Sequence, residues 1–143
     1  MSLDLAPALR DALIDAPTIY PSLASWQGEP AVHTRRPVPP DSGYPMIVVS
    51  PDVAITDEDG LNSDRPVVVR DILIYGQQPA HYRTVESLGY AVRGLFHRAR
   101  NSLSPAGYHV IDVRAQGPFP APTDDENTVA RAVSLTIRLR RTP

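Results

Sequence analysis

The side chains able to do chemistry in this sequence are few and scattered. Four histidines occur, His33, His81, His97 and His109, and none lies two, three or four residues from another. No local zinc motif exists, so each is expected to be structural or solvated. There is no cysteine, which removes disulfides, thiolate nucleophiles and Cys-ligated zinc together. All 14 basic residues are arginine, and without lysine no Schiff base can form. Neither Gly-x-Gly-x-x-Gly nor Gly-x-x-x-x-Gly-Lys occurs, so no phosphate-cradling loop is visible. No Gly-x-Ser-x-Gly elbow marks a serine nucleophile. Asp57-x-Asp59-Gly60-x-Asn62-x-Asp64 sets oxygens at the alternate positions calcium uses. It lacks a glutamate at the twelfth position and flanking helices, so an acidic turn between strands is the better reading. The expectation is a protein with no catalytic, cofactor-binding or metal-ligating residue, and not an enzyme.

The residues suited to contact are more plentiful. Arginine pairs bidentately with carboxylates and is favoured at interfaces, although a GC-rich source genome also explains an all-arginine chain. Trp26 and the pair Arg35-Arg36 sit in a proline-rich stretch. The tryptophan either anchors its own segment on the core or plugs into a neighbouring subunit, as interface aromatics do. Arg83, Glu86, Tyr90, Arg93, His97 and Arg100 form the polar face of a helical segment. That face is either solvated or a subunit contact, with Tyr90, Arg93 and Arg100 as candidates. Arg131, Arg138, Arg140 and Arg141 raise the same question at the C-terminal end. A net charge of −2 argues against nucleic acid as a standing partner.

The elements that must position these residues follow from periodicity. The 143 residues fit one domain able to bury a proper core. Leu5, Leu9, Ala12 and Leu13 share a helical face over 5–15, with Asp4 as N-cap and Pro7 in the first turn. Sixteen prolines are far above average. They mark a rigid arm at about 17–43 and a loop at about 115–127, both expected to be non-helical. A short edge strand fits Val32–Val38. Tyr44–Ser50 is strand-like, and residues 51–65 are an acidic loop with the turn signal Asp59-Gly60. Pro66–Tyr75 is apolar on both faces, so it belongs in the middle of a sheet or under a partner. Val85, Leu88, Val92, Leu95, Phe96 and Ala99 predict a helix over 80–100, with Gly89 and Gly94 tolerated for close approach to the sheet. Tyr108–Arg114 is a further strand. Val129–Arg141 is the longest, with Val133, Leu135, Ile137 and Leu139 opposite Ala132, Ser134, Thr136, Arg138 and Arg140. The order helix, hairpin, helix, hairpin predicts an α+β fold: a mixed, mainly antiparallel sheet of four to five strands with both helices on one face. The N-terminus has neither the basic nor the apolar region of a secretory signal, and no apolar run is long enough to span a membrane.

Several stretches together resemble a known family. Ser2-Leu3-Asp4-Leu5-Ala6-Pro7-Ala8-Leu9 opens a short helix, and a proline-rich segment leads into Gly43-Tyr44-Pro45-Met46-Ile47-Val48-Val49. The apolar Val67–Tyr75 strand precedes Tyr82–Phe96, and an arginine-ending strand closes the chain. This pattern resembles the tail-terminator, or tail-completion, proteins of long-tailed phages and gene transfer agents. The resemblance implies a hexameric ring of copies of this chain on the head-proximal end of the tail tube, assembled in the host cytoplasm. Such a ring ends addition of the major tail tube protein and presents a surface to the head-tail connector. DNA meets it only in transit. Asp57, Glu58 and Asp59, with Asp124, Asp125 and Glu126, are then candidates to line the pore. Another connector or neck protein is the nearest alternative reading. A small ligand-binding or enzymatic α+β domain is a more distant one.

Overall fold

Twelve residues of unbroken strand, Pro66–Gln77 (β6), form the spine of the fold. The structure, a computed structural model, describes residues 5–34, 38–39, 41–50, 54–57, 65–103, 105, 107–123 and 126–142. Of 54–57 it describes the backbone only, and likewise of Arg100. The spine is preceded by helix Ala6–Asp15 (α1) and the short strands Ser25–Trp26 (β1), Glu29–Pro30 (β2), Val32–His33 (β3), Met46–Val49 (β4) and Ala54–Asp57 (β5). Helix Tyr82–Phe96 (α2) and strands Tyr108–Pro120 (β7) and Thr128–Arg141 (β8) follow it.

One sheet holds six of these strands in the order β3-β4-β6-β8-β7, with β5 also pairing β6. Among the described residues only β3 and β4 run parallel. Along β6, β4 covers Ile72–Tyr75 and β5 covers Pro66–Val69, so two short strands share one edge of the spine. The opposite edge pairs with β8 from Val67↔Arg138 to Gln77↔Thr128. The two-sided apolar sequence of β6 is thus answered by a central position, as expected. The sheet is mainly antiparallel and both helices pack on one of its faces, giving the α+β class.

The core lies between that face and the helices. Leu5 at the start of α1, Leu9 and Leu13 within it, and Val85, Leu88, Val92 and Phe96 of α2 join Ile47, Val49, Val68, Ile72 and Ile74 in one buried cluster. On β8, Val133, Leu135, Ile137 and Leu139 complete it, as the alternation predicts. Full burial of a single side chain of this size contributes about 1.5–3 kcal/mol.

Several boundaries differ from expectation, and the edge strand expected over Val32–Val38 is only Val32–His33 among the described residues. The N-cap of α1 is Leu5, with no side-chain capping bond, and Asp4 lies outside the described residues. The second helix stops at Phe96, because His97 turns extended and Arg98 takes a positive φ of 57°. Strand β5 appears inside the segment expected to be a loop. Finally, β7 continues through the second proline-rich stretch to Pro120. Proline is tolerated there because β7 is an edge strand whose outer amides need no partner. The ladder re-registers between Gln116 and Phe119 as a β-bulge, and Gly117 there has φ 115°, which glycine tolerates.

The two glycines of α2 behave differently. A Cβ on Gly89 would stand 2.6 Å from Cβ of Pro118, so this glycine does permit close approach to the sheet. A Cβ on Gly94 would meet nothing within 4 Å, so the close-approach reason fails there. Gly94→Ala is therefore expected to stabilise the fold by about 0.5–1 kcal/mol through helix propensity. Gly89→Ala, the same change five residues earlier, is expected to destabilise it by about 1–3 kcal/mol through overpacking. Urea unfolding of both variants checks the opposite signs.

Candidate assembly surfaces

The first proline-rich stretch folds back on its own chain. Gln27 and Gly28 both have positive φ, which makes the tight turn joining β1 to β2. Tyr20–Ser22 form a single 3-10 turn, so the stretch is not wholly extended. Ala24 N–H donates to Pro45 O at 2.9 Å, and Ile47 N–H donates to Ala31 O at 2.9 Å. These bonds lay the segment along β4.

Trp26 is part of this fold-back. Its ring meets His33 edge-on at 5.2 Å, and its Nε1–H donates to Asp41 Oδ1 at 3.1 Å. His33 is only 6% exposed and shares a 2.7 Å hydrogen bond between Nε2 and Ser42 Oγ. By register His33 and Val48 share the sheet face away from the helices, so the segment covers one corner of that face. Arg35 and Arg36 lie outside the described residues.

Burial lowers the His33 pKa from the usual 6.5, and the Arg10 guanidinium lowers it further, while Asp41 pulls it up. The unfolded chain then binds more protons than the folded one below pH 6.5, so stability falls as pH drops through that value towards the lower folded pKa. His33→Gln is expected to flatten this acid slope. Urea midpoints at about pH 7.5 and about pH 5.5 measure it.

On α2, Arg83, Tyr90 and Arg93 are exposed, Tyr90 to 58%. The remaining members of the expected polar face have other roles. Glu86 accepts from Arg131 Nε at 2.8 Å. The Arg131 guanidinium also lies 5.3 Å from the Tyr82 ring centre, and this cluster ties α2 to β8. Arg131 therefore separates from Arg138, Arg140 and Arg141, which are exposed. His97 lies beyond the helix end and accepts the Ala115 N–H at Nδ1, 3.1 Å away. Together with Arg98 N–H donating to Val113 O at 2.7 Å, it caps the outer edge of β7. Blocking an edge in this way prevents promiscuous strand pairing. Arg100 belongs to a 3-10 turn after the helix.

The described members of the acidic segments, Asp57 and Glu126, fall at opposite ends of β6. Asp57 pairs with Pro66 at the start of β6. Glu126 is exposed in the turn before β8, and the neighbouring Asn127 carbonyl accepts from Gln78 N–H just past the end of β6. Eleven strand steps separate those ends, about 36 Å. Glu58, Asp59, Asp124 and Asp125, and the rest of the calcium-like pattern, lie outside the described residues. Among the described residues no group of three or more metal-ligating side chains converges.

The face of the sheet away from the helices is mixed. Val67, Val69, Leu73 and Tyr75 are half-buried there, and Phe119 is 47% exposed at the β7 edge. Sequence reasoning missed two features: the edge cap by His97, and an acidic pair on α1, Asp11 and Asp15. The four-residue spacing of that pair is the signal in the sequence, on the same helix as the apolar stripe Leu5, Leu9 and Leu13.

What the molecule presents is an α+β sheet with one helical face, one mixed open face and charged ends. Its fold is similar to that of a chain in a solved structure described as the virion of a native gene transfer agent particle. The TM-score is 0.75 over 95% of this chain and 94% of that one, at 15% sequence identity. No known sequence family matches the chain, and no curated protein sequence matches it.

Proposed function

We propose that this chain is a structural virion protein whose copies close a ring on the finished end of a tail tube. The ring ends addition of tube subunits and joins the tail to the head connector. The observation that carries the reading is the likeness, over almost the whole of both chains, to a chain of a gene transfer agent virion. Near-complete coverage in both directions argues that the common unit is the entire chain and not a shared supersecondary motif. Two further features favour it. The sheet has a mixed open face that a neighbour can cover, and its long edge strand is capped against uncontrolled pairing. Ring closure needs two different surfaces that meet by rotation, and the helical and open faces supply two.

DNA passes through the centre of the ring in this reading. With the strands running along the pore, the segments 57–59 and 124–126 stand at its two mouths and let DNA slide without sticking. Hexameric order and contact with the tube and connector proteins belong to the same proposal. Tail length in particles assembled without this chain is the test.

A further inference from the structure

A groove of about 420 Å³ runs between the last turns of α1 and α2. Ala8, Ala12 and Pro17 line one wall, Leu95 lines the other, and Asp11 and Asp15 are also part of the lining. Both carboxylates are exposed, and among the described residues neither has an ion-pair partner. No basic residue occupies the last turn of α1. Like charges four residues apart repel each other, and carboxylates at a helix C-terminus oppose its dipole. The groove thus combines apolar walls with a negative rim that has no ion-pair partner among the described residues. A guanidinium suits it, because its flat face packs on apolar surface while its edge pairs with carboxylates.

The complementary charge lies elsewhere on the same chain. Arg138 and Arg140 alternate with the buried Ile137 and Leu139, so they project from the open face of the sheet. Arg141 ends the strand, and all three are exposed. The groove is in the helix layer, across the sheet from Arg138 and Arg140, whereas Arg141, opposite Tyr108, falls by the same alternation on the helix-side face at the strand end. A copy therefore presents Arg138 and Arg140 on the side opposite its own groove.

Resting on the ring reading above, we propose that the arginine end of β8 in one copy docks into the α1–α2 groove of the next copy. The contact is heterologous, and its repetition by rotation closes a ring. Two variants of the full chain test it: Asp11→Arg with Asp15→Arg, and Arg140→Glu with Arg141→Glu. Circular dichroism confirms that each is folded, and sedimentation velocity at about 50 mM salt reads association. The wild-type chain is expected to form a closed oligomer that weakens as salt rises. Each variant alone should associate more than about a hundredfold more weakly. An equimolar mixture should regain assembly, because the reversed groove of one meets the reversed strand end of the other.

Variants that associate like the wild type, or a mixture that regains nothing, would overturn the contact. Closed wild-type rings in that same experiment would leave the ring reading standing. A wild-type chain still monomeric at about 100 μM would also overturn the contact, with tail length judging the ring reading separately. Variants that self-associate normally but no longer cap tube ends would overturn it too, assigning the groove to another virion protein.

Discussion

Phe96→Ala is expected to destabilise the fold by about 3–5 kcal/mol. Phe96 is completely buried and is the largest fully buried side chain in the core. It stands at the last residue of α2, where the helix meets the rest of the cluster. Truncation leaves a cavity that the sheet on one side and the backbone turn at His97 on the other cannot readily fill. A domain of this size has about 5–15 kcal/mol of total stability, so at least about a fifth would be lost. The chain supplies its own control, because the second phenylalanine, Phe119, is 47% exposed. Phe119→Ala should stay within about 0.5 kcal/mol. Urea unfolding of both variants gives the comparison, and equal losses would show that the helix–sheet cluster is not the main core.

Reversing the acidic segments is expected to have the largest effect on function. Replacing Asp57, Glu58 and Asp59 by arginine, or Asp124, Asp125 and Glu126, should leave tails of normal length while cutting DNA delivery by at least about a hundredfold. In the proposed ring each added cation would bind passing phosphates through counterion release, and three reversals exchange three repulsive charges for three attractive ones. Because Asp57 lies at the start of β6 and Glu126 beside its end, either reversal alone should be enough. Particle titres set against electron-microscopic particle counts measure the effect. Full infectivity in both variants would remove these acids from the pore.

Much of this architecture was legible in the sequence, and the failures have physical causes. Strand β8 was clear because Val133, Leu135, Ile137 and Leu139 alternate without a break, and the structure buries all four. The apolar side of α2 was clear for the same reason at helical period. Its end was not, because Ala99 continues the apolar spacing while the positive φ of Arg98 breaks the helix before it. A periodicity count sees side chains and not backbone dihedrals. Strand β5 was hidden because four residues, Ala-Ile-Thr-Asp, are too few to show alternation. Its existence follows from β6, whose twelve residues outrun the four of β4. The continuation of β7 through Pro118 and Pro120 was hidden by a sound rule that relaxes at sheet edges.

Surfaces were less legible than elements. The four C-terminal arginines looked alike, and only the packing of α2 draws Arg131 to Glu86 and leaves the others exposed. The groove beside Asp11 and Asp15 depends on Leu95, which is distant in sequence and arrives there only through the tertiary fold.

The central claim is that this protein stops the growth of a tail tube. The direct measurement is the distribution of tail lengths, by electron microscopy, in particles assembled after deletion of its gene. The account predicts abnormally long tails without heads, restored to normal length by the wild-type gene in trans. Tails of normal length that fail to join heads would contradict it and move the protein to the neck, and normal infectious particles would contradict any role in the virion.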